Sequence, residues 1–272
     1  MFIIDAHTHI FPDDIAARIL ENTSKMFNVP TYGTGTAADL LAQMDENGIT
    51  YAVIHMVSPT QASVQQTNTW LINLKQDRFI KFGTIHPRLK NLSHELDRLK
   101  DHNINGVKLQ PEVQGFTVDD RAVTYHLYEA LAKKQMKVMF HVGGNPVAKP
   151  DNRSTPLMIL NVAKEFPELT IIAAHLGGNN MWDSVYALLA GTANVYLETS
   201  LSYENIVPEL AHKIIRKHGH NNIFFGTDYP FAPVDKSVKI ARSVSFLNTA
   251  EKEKILGKNA FQFFLPPGLK RA

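Results

Sequence analysis

Cysteine is absent from the 272-residue chain. No disulfide framework and no thiolate metal site can exist, so any metal must be held by imidazole, carboxylate or a modified lysine. Long hydrophobic runs are missing too: no apolar stretch approaches the roughly 20 residues that a membrane-spanning helix needs. Charge of one sign is not in excess, since 28 Lys and Arg stand against 26 Asp and Glu for a net +2. The basic residues are scattered and form no stripe that could track phosphates, so nucleic acid is not an expected partner. No Gly-x-Ser-x-Gly elbow occurs, which removes that serine-hydrolase arrangement. Met1 leads straight into Phe2-Ile3-Ile4-Asp5 with no charged n-region, no long apolar segment and no Ala-x-Ala cleavage signal, the pattern expected of a soluble cytoplasmic protein. The basic tip Lys270-Arg271 reads as a solvated tail.

What is present is ordinary globular usage, 44% hydrophobic and 20% charged, and the length suits one large domain over residues 1–272. Short apolar runs recur, each followed by a longer stretch with helical spacing. In order they are Phe2 to Ile10, Tyr51 to Val57, Ile80 to Ile85, Gly106 to Gln110, Lys137 to Val142, Thr170 to His175, Val195 to Thr199 and Asn222 to Thr227. Continuously apolar strands are expected where helices cover both faces of a parallel sheet. Eight such βα units favour closure into a (β/α)8 TIM barrel over an open sheet. Helices are expected over Ala37 to Asn47, Asp119 to Lys134 and Pro208 to Lys217, with Gly48 and Gly219 as stops. Residues 12–35 do not fit the rhythm and read as an elaborated loop closed by Gly33-Thr34-Gly35. A final helix over 249–264 is expected to pack on the barrel, with Pro266-Pro267-Gly268 ending the fold. Apolar helix faces could support a homodimer.

The first run ends in Asp5-Ala6-His7-Thr8-His9, and a period of two places both imidazoles on one side of an extended segment. An isolated His-x-His is as ordinary in a turn as in a metal site. Three other runs, however, also end in a metal-competent group: Phe140-His141-Val142-Gly143-Gly144, Ala174-His175-Leu176-Gly177-Gly178 and Gly226-Thr227-Asp228-Tyr229-Pro230. In a closed barrel these ends share one mouth. Nitrogen and oxygen donors of this kind suit zinc first, with manganese, iron or cobalt behind it. The Gly-Gly pairs read as turns that let backbone approach the site closely.

The pattern of His-x-His after the first strand, His after the fifth and sixth, and Asp after the eighth resembles the amidohydrolase superfamily. Asp-Ala-His-Thr-His, Gly-Val-Lys-Leu-Gln-Pro, Ala-His-Leu-Gly-Gly and Gly-Thr-Asp-Tyr-Pro-Phe are similar to its branch containing aminocarboxymuconate-semialdehyde decarboxylase. The resemblance implies that His7, His9, His141 and Asp228 ligate one divalent ion. It further implies that His175 and Asp228 act as catalytic acid/base groups. Lys108 ends the fourth run, where binuclear relatives carry a carboxylated lysine between two metals; a plain ammonium facing a substrate carboxylate or an internal acid is the alternative. Arg153, Tyr229, His55 and His86 are candidate substrate contacts, the two histidines being equally at home as internal hydrogen-bonded rings. His94, His102, His126, His212, His218 and His220 fall on expected helices or their ends and read as surface or capping residues.

The reaction expected first is metal-assisted hydrolysis of an amide, lactone or ester of a small carboxylate. Nonoxidative decarboxylation of an unsaturated or aromatic acid uses the same ligands and is the rival. A non-catalytic barrel that binds a small molecule is the reading from another class, and the intact ligand set speaks against it.

Overall fold

The computed structural model describes residues 2–144 and 152–265; the expected Pro266-Pro267-Gly268 stop and the basic tip lie outside them. Each apolar run becomes a strand: β1 Ile3–His9, β2 Ile49–His55, β3 Phe79–Lys81, β4 Gly83–Thr84, β5 Gly106–Leu109, β6 Lys137–Phe140, β7 Ile171–Ala173, β8 Val195–Glu198 and β9 Ile223–Phe224. β3 and β4 are the two halves of the third run, parted at Phe82, whose N–H donates to the Ile54 carbonyl of β2 at 3.1 Å. Pairing is parallel throughout, and the strands follow one another in sequence order from β1 to β3 and from β4 to β9.

The first and last strands meet. Ala6 N–H donates to Phe225 O at 2.8 Å, Asp228 N–H to His7 O at 2.9 Å and His9 N–H to Tyr229 O at 2.7 Å. Asp5 locks the same seam through its carboxylate, which accepts the Thr227 amide at 3.0 Å and the Thr227 hydroxyl at 2.6 Å. Among the described residues the strands are thereby closed into a barrel.

Side chains sort into two apolar layers. Ile4, Ala6, Val53, Phe82, Met139, Ile172 and Phe224 fill the barrel interior, with Ala260 against them. A larger cluster, including Ala52, Ile54, Val107, Val138 and Ile171, lies between strands and helices. The expected final helix runs from Thr249 to Phe264 as α-helical turns flanking a π-helical segment, Lys254–Lys258. Its last turn stops the lower end of the barrel, with the Phe264 ring 5.8 Å from Phe82 and 5.2 Å from Phe224.

Residues 12–35 depart from the expected loop: a 15-residue helix, Asp13–Phe27, occupies most of the segment. Pro12 starts it, Asp13 and Asp14 sit in its first turn, Lys25 sits in its last, and Asn28 ends it in the left-handed conformation at φ 52°. These are ordinary helix boundaries. Ile15, Ala16, Ile19 and Leu20 pack with Phe11, Met56 and Trp70 as a separate apolar patch beside the barrel mouth.

Candidate active site

The β1–β2 ladder explains why two histidines of β1 point inward above an apolar layer. Asp5 pairs with Ala52 and Thr8 with Ile54, so β1 carries one residue more than β2 between those pairs. Such a bulge re-aims side chains. Ala6 remains in the inner apolar layer, and His7 and His9 then project into the mouth above it.

Three expected ligands converge there. His7 Nε2 lies 3.1 Å from His9 Nε2 and 3.2 Å from Asp228 Oδ1, and His9 Nε2 lies 3.3 Å from the same Asp228 oxygen. Donors bound at about 2.0–2.2 Å to a common ion stand about 3.0–3.5 Å apart, so the spacing suits one metal. His141 reaches the cluster through His175, with His141 Nδ1 3.0 Å from His175 Nε2. The His141 Nε2 atom is buried without a hydrogen-bond partner. An orphaned buried nitrogen on a ring linked through His175 to the cluster fits a metal ligand.

The surrounding hydrogen bonds set the tautomers. Glu198 Oε1 accepts from His7 Nδ1 at 2.8 Å, which leaves the His7 Nε2 lone pair facing the cluster. His175 Nδ1 is 3.2 Å from the Ser200 carbonyl, an acceptor only, so the proton of His175 belongs on Nδ1 and its Nε2 accepts from His141. His141 is then left with a bare Nε2. Burial holds the rings of His7, His9 and His141 below the usual histidine range, and neutral imidazole is the form that ligates. Burial alone would raise the Asp228 carboxyl, while any charge on the surrounding rings of His7, His9 and His175 pulls it the other way, and the net shift is downward.

Two strand-end residues sit in the left-handed region of backbone space, His175 at φ 58° and Asp228 at φ 72°. Such conformations cost of order 1–3 kcal/mol and persist where neighbours over-determine them. Here the His175 N–H donates to Glu198 Oε1 at 2.8 Å and the Asp228 N–H to the His7 carbonyl. The glycine pair after His141 acts as expected: a Cβ on Gly143, at φ 100°, would fall 2.3 Å from the Asn179 backbone nitrogen.

Lys108 ends β5 with only 2% of its surface exposed, and its Nζ lies 3.1 Å from His7 Nε2. Burial lowers its pKa to about 8 against the pull of Asp228 and Glu198. His55 also faces the cluster. It is the register partner of His9 across the β1–β2 ladder and is fully buried.

The remaining candidates are placed otherwise. Both nitrogens of His86 face backbone, Nε2 the Gln114 carbonyl at 3.1 Å and Nδ1 the Arg88 amide at 3.2 Å, so the ring ties these two segments together. Tyr229 is fully buried; its hydroxyl donates to Asp39 Oδ2 at 2.6 Å and accepts the Gly35 amide at 3.2 Å. It struts the loop after β1. Arg153 follows β6 and takes part in contacts at the turn after β5, where its amide donates to Glu112 Oε1 at 3.2 Å.

Glu198 was not anticipated. It is fully buried and accepts four hydrogen bonds, from His7 Nδ1, the His175 amide, the Ser200 amide and the Ser200 hydroxyl, at 2.7 to 2.8 Å. The signal was legible in Val195-Tyr196-Leu197-Glu198: an acid inside an apolar strand must be paired. His7, His175 and Glu198 offer donor atoms within 4.8 Å of one another, but the Glu198 oxygens are already committed to those four bonds.

Comparison with known proteins agrees with this geometry. The amidohydrolase family model matches residues 4–265, and the chain belongs to that family. It is a metal-dependent enzyme of the amidohydrolase superfamily with a TIM-barrel fold. Sequence comparison with curated proteins finds no match. Among solved structures, 5-carboxyvanillate decarboxylase of Sphingomonas paucimobilis is similar at a TM-score of 0.73 and 14% identity, over 97% of this chain and 98% of that one. A dihydroxybenzoic acid decarboxylase of a Polaromonas species, with bound manganese and 2-nitroresorcinol, gives 0.72 and 16% over 97% and 96%. A 2,6-dihydroxybenzoate decarboxylase from Rhizobium gives 0.65 and 16% over 97% and 98%. Among the described residues, no helix is long and apolar enough to cross a membrane.

Proposed function

We propose that this protein is a nonoxidative decarboxylase of a small aromatic or unsaturated carboxylic acid, with His7, His9, His141 and Asp228 holding one divalent ion. The observation that carries the reading is the buried Lys108 ammonium, 3.1 Å from His7 Nε2. A divalent ion supplies Lewis acidity and positive charge toward the oxygens of a bound acid. With His7 Nε2 committed to that ion, the Lys108 ammonium is released to meet a carboxylate. Two cationic centres inside a buried site favour an anionic substrate.

The other residues supply position and a proton. His175 is held at the mouth by Ser200 on one side and His141 on the other; a proton taken up from solvent at its Nε2, in place of the one accepted from His141, would be the one passed to the carbon that loses carbon dioxide. Hydrolysis shares the same residues but asks Asp228 to take a proton from water. In the ligand set proposed here the Asp228 carboxylate is already turned to the ion and to the two β1 imidazoles. The decarboxylases of similar fold support the same choice, and the manganese in the Polaromonas enzyme makes manganese the first ion to load, ahead of zinc.

The test is incubation of the manganese-loaded protein in D2O with 2,6-dihydroxybenzoate, 5-carboxyvanillate and a panel of lactones, amides and esters. Loss of the carboxyl group with deuterium at the vacated carbon is expected. Acid release from the carbonyl panel, with the aromatic acids untouched, would restore hydrolysis.

A further inference from the structure

We propose that His55 is a further ligand of the metal, a third imidazole set against the His7–His9 pair and spent on the ion rather than on the fold. The ring centroids of His7, His9 and His55 form a nearly equilateral triangle with sides of 5.1, 5.1 and 5.4 Å. Imidazoles radiating from one ion at a bond length of about 2.1 Å have centroids about 5 Å apart. One nitrogen from each ring can be chosen so that all three lie within 4.8 Å of one another.

The second observation is independent of that spacing. His55 is fully buried, and neither of its ring nitrogens makes a hydrogen bond of good geometry, the Thr8 backbone being close enough only to act on the ring weakly. A buried polar ring with nothing to bond is a liability for folding, and such groups are rare unless a ligand or ion completes them. The His9–His55 register pairing turns both rings to the inner face of the barrel, while Phe82 at 5.8 Å backs the His55 ring from below. The apolar layer on that side offers the ring no polar partner. Stability in the metal-free protein is thus given up for coordination.

This rests on the metal site proposed above and not on the reaction. The experiment compares metal-free wild type with His55→Leu and His55→Gln, reading manganese affinity by chelator competition, cobalt(II) visible absorption, and the thermal midpoint without metal. We expect affinity about 10–100-fold weaker in both variants, an altered cobalt spectrum, and a His55→Leu midpoint raised by about 2–4 °C once the unpaired ring is gone. Unchanged affinity and spectrum would overturn the proposal. So would a His55→Leu protein that unfolds earlier or fails to fold, since that is the behaviour of a packing residue. A wild type that binds no cation while folding normally would instead overturn the metal reading itself.

Discussion

Glu198 of β8 accepts the Nδ1 proton of His7 on β1 at 2.8 Å, reaching past β9, which lies between the two strands. This bond fixes which nitrogen of His7 is free to ligate. Partners of this kind tune metal affinity by about 10–100-fold. Glu198→Gln keeps the shape and loses the charge, so manganese affinity should fall by that factor while the circular dichroism stays native. Glu198→Ala strands the His175 amide and both Ser200 donors, and should cost about 3–5 kcal/mol by urea unfolding. A Gln variant with native affinity would show that His7 is oriented by something else.

Asp228 touches both β1 imidazoles and is the one carboxylate in the proposed ligand set. Asp228→Asn should lower turnover by at least about 100-fold with the fold retained. Substantial turnover in that variant would remove Asp228 from the chemistry.

The Tyr229 strut predicts a separation of stability from binding. Its hydroxyl joins Asp39 to Gly35, and the approach is so close that a Cβ on Gly33 would fall 2.6 Å from both Asp39 Oδ2 and the Tyr229 ring. Tyr229→Phe and Gly33→Ala should each cost about 1–3 kcal/mol, with manganese affinity unchanged. Loss of affinity without loss of stability in Tyr229→Phe would return that side chain to the ligand-binding face.

His218 gives the fold an acid-sensitive point far from the metal site. It ends the Pro208–His218 helix, is 5% exposed, and accepts the Gly191 amide on Nδ1 at 3.1 Å. Burial lowers its pKa from 6.5 to about 4. The unfolded chain therefore takes up this proton first, so the contribution is complete above about pH 6.5 and is lost as pH falls toward 4. At pH 5 the loss is about 2 kcal/mol. The urea midpoint of His218→Gln should fall less between pH 7 and pH 5 than that of wild type; equal falls would contradict the assignment.

The strands were readable because each is a short, two-face-buried apolar run, and their observed ends lie within about three residues of the expected ones. The helix at Asp13–Phe27 was hidden by the polar stretch Glu21-Asn22-Thr23-Ser24 and by Pro12 and Gly33 at the segment's borders, although Ile15, Ala16, Ile19 and Leu20 carry helical spacing. For His218, expected as a surface or capping residue, helix position alone does not tell which face the 191 turn will cover. The roles of His86 and Tyr229 depend on the Gln114 carbonyl, the Gly35 amide and the Asp39 carboxylate, partners that only the closed barrel brings near. The strand-end groups were legible because a barrel delivers all such ends to one mouth.

The account stands most directly on metal stoichiometry, measured by elemental analysis after loading with manganese and removal of excess. One ion per chain in wild type, with little retained in His7→Ala or His141→Ala proteins of native circular dichroism, is the predicted result. Two ions per chain, or one ion that survives both substitutions, would contradict it.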